Sequence, residues 1–165
     1  MLYVTPAIKM SINIINKRKI IMKLPDYITV EEVKRVCKEL QIRDWTVLSD
    51  TKVPLKEAST ILTALDVKGD IVLEDFQQGL EVELEHGVMY ADTNVTNNHP
   101  LLTGRIVLAH FKESLDYYRR LDVIEIEGDL LKAILDNDPD KLKAKYQKLI
   151  QAKWIVSQAE TRQLM

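Results

Sequence analysis

The chain has 165 residues, of which 46% are hydrophobic and 29% charged, and a net charge of −2. That balance excludes a disordered chain or a coiled rod, and the length suits one domain with a single core rather than two full-sized domains. The single cysteine, Cys37, excludes an internal disulfide framework and points to a reducing compartment.

No run approaches the ~18 apolar residues of a membrane span, and the first residues lack the charge-then-apolar order of a signal peptide. A cytoplasmic protein with no membrane association is therefore expected. Residues 1–24 carry Lys9, Lys17, Arg18, Lys19 and Lys23 and no acid. Isoleucine alternation on either side of a basic turn (Ile12, Ile14 and Ile15, then Ile20 and Ile21) predicts a short extended or hairpin-like arm. Met22 is an alternative start, which would make that arm incidental. The cations could touch phosphate, but the acidic remainder of the chain argues against nucleic acid.

The body, residues 25–165, reads as a single mainly α domain, a compact bundle of five to six helices. Thr29, three residues before Glu32, forms a capping box ahead of the stripe Val33, Val36, Cys37, Leu40, so a first helix is expected from there to about Gln41. Pro54 suits a first helical position, and Leu55, Ala58, Leu62 and Leu65 mark a second helix ending before Gly69. A third is expected over 72–86 with Gly87 as its stop, then a loop over 88–99 rich in Asn and Thr. Pro100 opens a fourth that runs to about Leu121. A short helix over 130–135 precedes Asp138-Pro139, a cap and first-turn proline. They begin a last helix to about Thr161, with Leu142, Tyr146, Leu149, Ile150, Trp154 and Val156 along one side. Five lysines (141, 143, 145, 148 and 153) form a solvated face on the remainder.

Two histidines break the polar-out pattern. On a wheel of about 100° per residue, Glu83 falls with Phe76 and Gly79 on the core side, and His86, three residues on, shares that face. In the fourth helix Arg105, Lys112, Asp116 and Arg119 define a solvent face, and His110 lies opposite, beside Ile106, Tyr117 and Leu121. Glu113, three residues after His110, edges the apolar arc. Antiparallel packing would bring the Glu-x-x-His and His-x-x-Glu pairs to one level. Neutral imidazole and carboxylate suit a divalent zinc, iron or manganese ion, which makes Glu83, His86, His110 and Glu113 the candidate ligands. Tyr117 is a candidate donor to a ligand carboxylate from behind. One Glu-x-x-His per chain means that a di-iron centre would require a dimer. The same residues also fit a self-satisfied buried hydrogen-bond network, since neither His nor Glu is cheaply buried alone. Glycine-rich phosphate loops, Cys-x-x-Cys, a nucleophile elbow and His-Glu-x-x-His are all absent.

Residues 76–121, FQQGLEVELEHGVMYADTNVTNNHPLLTGRIVLAHFKESLDYYRRL, resemble the core of a family of small uncharacterised proteins of bacteria and some large viruses, through an ELEHG block, a TNVT loop, an AH block and a DYY block. The resemblance implies a fold unit and a candidate site, not an activity. It points to Glu83, Glu85 and His86 in the first block and to Asp92, Thr93, Asn94 and Thr96 in the loop. Asp92 is thereby a further candidate contact behind the ligands, although these loop side chains also suit simple turn-shaping. The later blocks contribute His110, Glu113, Asp116, Tyr117 and Tyr118. The chain departs from the pattern at Asn98-His99, where an Asp-Asp pair is expected before the proline, which leaves Asn98 as the cap. It also has Leu115 in place of a proline, which favours an unbroken fourth helix.

Three readings follow. The chain binds a divalent metal through the two Glu/His pairs. Alternatively it is a non-enzymatic interaction or structural module, such as a phage or viral assembly component, with a protein partner or a second copy meeting its arm or last helix. The third is a small hydrolase or isomerase with Glu83 as base and His110 as acid.

Overall fold

The computed structural model describes residues 28–69 and 71–165. The arm expected over residues 1–24 lies outside the described residues. Six helices follow in order: α1 (Val30–Leu40), α2 (Leu55–Ala64), α3 (Leu73–Met89), α4 (Pro100–Glu113), α5 (Tyr117–Leu135) and α6 (Pro139–Gln163), with short 3₁₀ turns at Trp45–Val47 and Ala91–Thr93. Among the described residues there is no strand, and no helix is long and apolar enough to cross a membrane. The mainly α bundle is therefore as expected.

The helix ends follow local chemistry. The Thr29 hydroxyl accepts from Glu32 N, and Asp138 accepts from Lys141 N ahead of Pro139, each satisfying an orphan amide of a first turn. α4 is capped by His99, whose Nδ1 accepts from Leu102 N at 3.4 Å, rather than by Asn98. His99 is buried, and burial lowers its pKa and favours the neutral ring that this role requires. Asn98 sits in the left-handed region instead, at φ 58.

Two boundaries differ from the expected ones. α3 continues through Gly87 to Met89, and the fourth helix breaks after Glu113. Ser114 is extended (φ −159, ψ 132), its hydroxyl bonds Asp116 Oδ1, and Arg120 grips the same carboxylate through Nε (3.0 Å) and, as an ion pair, through Nη2 (2.8 Å). Asp116, expected on a solvent face, is 2% exposed. Its burial alone would raise the carboxyl's pKa, but Arg120 and Ser114 outweigh it and hold the group ionised. A break can thus form without proline, because one buried carboxylate stitches the new helix start. α5 then runs unbroken through Gly128 and absorbs the short helix expected over 130–135.

The main core gathers residues from α1 to the start of α5, among them Val33, Trp45, Ile61, Phe76, Leu84 and Phe111. A second, small cluster of Ile126, Leu149 and Ala152 lies under the α5–α6 hairpin. Cys37 belongs to the first, buried as its spacing predicts. The stretch between α1 and α2 inserts the fully buried Trp45. The Trp45 indole N–H donates to Glu57 at 3.2 Å, and Arg43 Nε donates to the same carboxylate at 2.8 Å. Burial works against ionised Glu57, but these donors overcome it and its pKa is lowered.

α3 and α4 approach closely at glycines. A Cβ on Gly79 would stand 2.5 Å from Val107 Cγ1 and 2.6 Å from Tyr118 Cε2, while one on Gly128 would meet nothing within 4 Å. Alanine is worth ~1 kcal/mol over glycine inside a helix, yet overpacking a core costs about 1–3 kcal/mol. Gly79→Ala should therefore lower the thermal midpoint, whereas Gly128→Ala should raise stability by about 0.5–1 kcal/mol.

Glu57 gives a pH test. A carboxyl with a lowered folded pKa contributes its full stability above the ordinary carboxylate range and loses it as pH falls through its folded value. Glu57→Gln should cost about 1–2 kcal/mol in urea unfolding at neutral pH, with the difference from wild type shrinking on acidification. An equal cost at both ends would contradict the ion pair.

Candidate functional site

Glu83 lies two-thirds of the way along α3 and leans toward α4 and α5, as its wheel position predicts. Its side chain is 14% exposed. The Tyr118 hydroxyl, at the start of α5, donates to Glu83 Oε1 at 2.9 Å, and His110 Nε2 lies 3.4 Å from that same oxygen. Tyr118 is 3% exposed. Burial first, and the facing Glu83 carboxylate second, push its phenol pKa up, so it stays protonated and acts as a donor.

His110 is held by aromatic rings on two sides. Tyr117 stacks on it face to face (4.1 Å between centroids, 10° between planes), and Tyr118 meets it edge-on at 5.9 Å. Tyr117 is thus a packing partner of the imidazole rather than a donor to Glu113. Glu113 Oε2 is 3.9 Å from His110 Nδ1, but the Glu113 side chain is 67% exposed, and Nδ1 is buried without a hydrogen-bond partner. The imidazole therefore stands between the two carboxylates, Nε2 toward Glu83 and Nδ1 toward Glu113. A single ion bound at either nitrogen would lie on one side of the ring, near only one of them.

His86 does not share the inward face expected for it: it is exposed near the end of α3, where the helix has run on past Gly87. With Glu83 it borders a surface cavity of about 300 Å³ closed by Asn94, Thr96 and Asn98. Asp92 is likewise exposed, on the Ala91–Thr93 turn. Among the described residues no three His, Cys, Asp or Glu side chains are grouped as a metal ion would need.

The loop side chains shape the backbone. Asn94 Nδ2 donates to Gly87 O and to Asn98 Oδ1, Asn98 N donates back to Asn94 Oδ1, and Thr93 Oγ1 donates to Tyr90 O. Gly87 is required here because a Cβ would collide with the Asn98 amide.

Tyr118, which the family resemblance named in the DYY block without giving it a role, is the central residue left outside the candidate ligands and their supporting contacts. With an unbroken helix, position 117 falls on the His110 side and position 118 away from it. The break at Ser114 resets the helical phase and turns Tyr118 inward. The corresponding error on the other face is Arg119, expected in solvent but paired with Asp75 of α3 at 2.6 Å, both side chains 19% exposed.

The site is thus a polar cluster at the junction of three helices in an all-α module. The chain belongs to the family described as "Protein of unknown function (DUF5661)", whose match spans residues 33–127, from α1 to the middle of α5. No curated protein and no solved structure matches it.

Tyr118→Phe keeps the ring and removes the donor, which leaves a largely buried carboxylate oxygen short of its partner. It should cost about 1–3 kcal/mol in urea unfolding, and Glu83→Gln combined with it should cost less than the sum of the two single changes.

Proposed function

We propose that this protein is a non-enzymatic helical module acting through protein contacts, in which Glu83, His110 and Tyr118 form a polar network fixing α3, α4 and α5 relative to one another. The observation that carries this reading is the donation of the buried Tyr118 hydroxyl to Glu83 Oε1 at 2.9 Å. A carboxylate engaged in this way from one side, and faced by His110 at 3.4 Å on the other, has the partners that a buried acid requires. His86 and Glu113, the outer members of the expected ligand set, are exposed, and Glu113 approaches the network only at 3.9 Å from His110 Nδ1.

A second reading is favoured by one atom. His110 Nδ1 is buried and unpartnered, with Glu113 3.9 Å away, and a lone pair beside a carboxylate is a natural ligand for zinc, iron or manganese.

Elemental analysis with thermal unfolding of the full chain separates the two. The network reading expects metal-free protein after incubation with each ion, and a thermal midpoint lowered by several degrees in His110→Ala with helicity retained. Metal at about one ion per chain, lost in both His110→Ala and Glu113→Ala, would replace it with the second reading.

A further inference from the structure

α5 and α6, of 19 and 25 residues, pair as an antiparallel hairpin, yet only Ile126, Leu149 and Ala152 are buried in the cluster between them. Among the described residues α6 packs almost entirely on α5. One side of the hairpin is polar, with Asp122, Glu125 and Asp129 facing Lys145 and Lys148 across a shallow cleft. The other side is apolar. On α5, Ile124, Leu131 and Leu135 recur at seven and four residues, with Ile134 beside them, and each is 58% to 76% exposed. On α6, Tyr146, Ile150 and Trp154 recur at four and are 55% to 58% exposed. At about 100° per residue Ile134 and Tyr146 turn to the side marked by the Lys153–Glu127 pair, where Ile124 shares a cleft with Val156 and Ser157, and the rest of each row splays from there toward the outer back of its helix.

We infer that this face binds the same face of a second copy of the chain, the two hairpins stacking as a four-helix bundle about a two-fold axis. Three observations select a copy as the occupant. The seven residues, each more than half exposed, together leave an area of the order of the roughly 800 Å² that each partner gives to a standard interface. The charges along this side are paired within one chain, Lys153 with Glu127 at 2.8 Å between the rows and Arg120 with Glu160 at 2.9 Å beyond their Ile124 end. These two pairs carry no net charge to select nucleic acid or acidic lipid, and they can meet their own copies without like-charge repulsion. Finally, a pair of helices with one thin cluster is half of a bundle, and the missing layer is of the kind this hairpin itself supplies.

This inference names a partner for the contact module proposed above but stands on residues outside the Glu83 cluster. Cluster variants and metal content test that reading, and molecular mass tests this one. Light scattering on the full chain at micromolar concentration should give twice the 19.0 kDa chain mass. Leu131→Glu and Ile150→Glu should each raise the dissociation constant at least about thirty-fold, as at an interface hot spot, with unchanged far-ultraviolet circular dichroism. Val95→Glu, at an 81% exposed position on the loop before α4, should leave the dimer intact. Trp45 is buried in either state, so tryptophan emission should be bluer in wild type than in Ile150→Glu as Trp154 is covered. A one-chain mass for wild type, or a dimer indifferent to both glutamates, would overturn the inference.

Discussion

The arrangement of the helical junction depends on the seating of the Tyr118 ring against Gly79. A phenol can be buried there only with an acceptor for its hydroxyl, and Glu83, one turn beyond Gly79 on α3, supplies it. The dependence runs both ways, since a carboxylate leaning into a core is expensive without a donor. His110 completes the junction by filling the space between the two tyrosines and facing the same carboxylate oxygen. Three helices are thereby held at one point by groups that each lack a good alternative.

A second polar anchor does comparable work at the other end of the core. Glu57 receives Trp45 and Arg43 and so fixes the connection between α1 and α2. A little further along, Glu81 accepts from Val53 N and pairs with Lys52, while Gln77 donates to Val53 O. These bonds strap the approach to α2 onto α3. In both regions an acidic side chain satisfies backbone or side-chain donors of an irregular segment whose Trp45 and Val53 are seated in the core.

What the sequence disclosed followed from periodicity and caps. Thr29, Asp138-Pro139 and Pro100 marked helix starts, and the wheel correctly turned Glu83 and His110 inward. What it concealed depended on which of several possible partners a polar side chain takes. Ser114, Asp116 and Arg120 stand within seven residues, but the same spacing suits a solvent-facing i,i+4 pair on an unbroken helix, so the phase of α5, and with it the role of Tyr118, stayed hidden. Gly87 looked like a stop because glycine often ends helices, but here its lack of a side chain serves the packing of Asn98. His86 is exposed because, three residues on from Glu83, it lies about 60° further round the helix from the buried stripe of Phe76, Leu80 and Leu84. The lysines of α6 looked like a plain solvated face, yet Lys141, Lys145 and Lys153 pair with Asp136, Asp129 and Glu127.

The near-exclusive attachment of α6 to α5 divides the molecule energetically. Within a single chain, lifting α6 away uncovers the small Ile126 cluster and breaks the Arg120–Glu160 and Lys153–Glu127 pairs, but leaves the Trp45, Phe76 and Tyr118 core closed. Backbone amides of α6 can thus exchange with solvent deuterium through a sub-global opening, while those of α3 and α4 wait for complete unfolding. The C-terminal helix is the part of the chain that can be remodelled at the least expense to the rest.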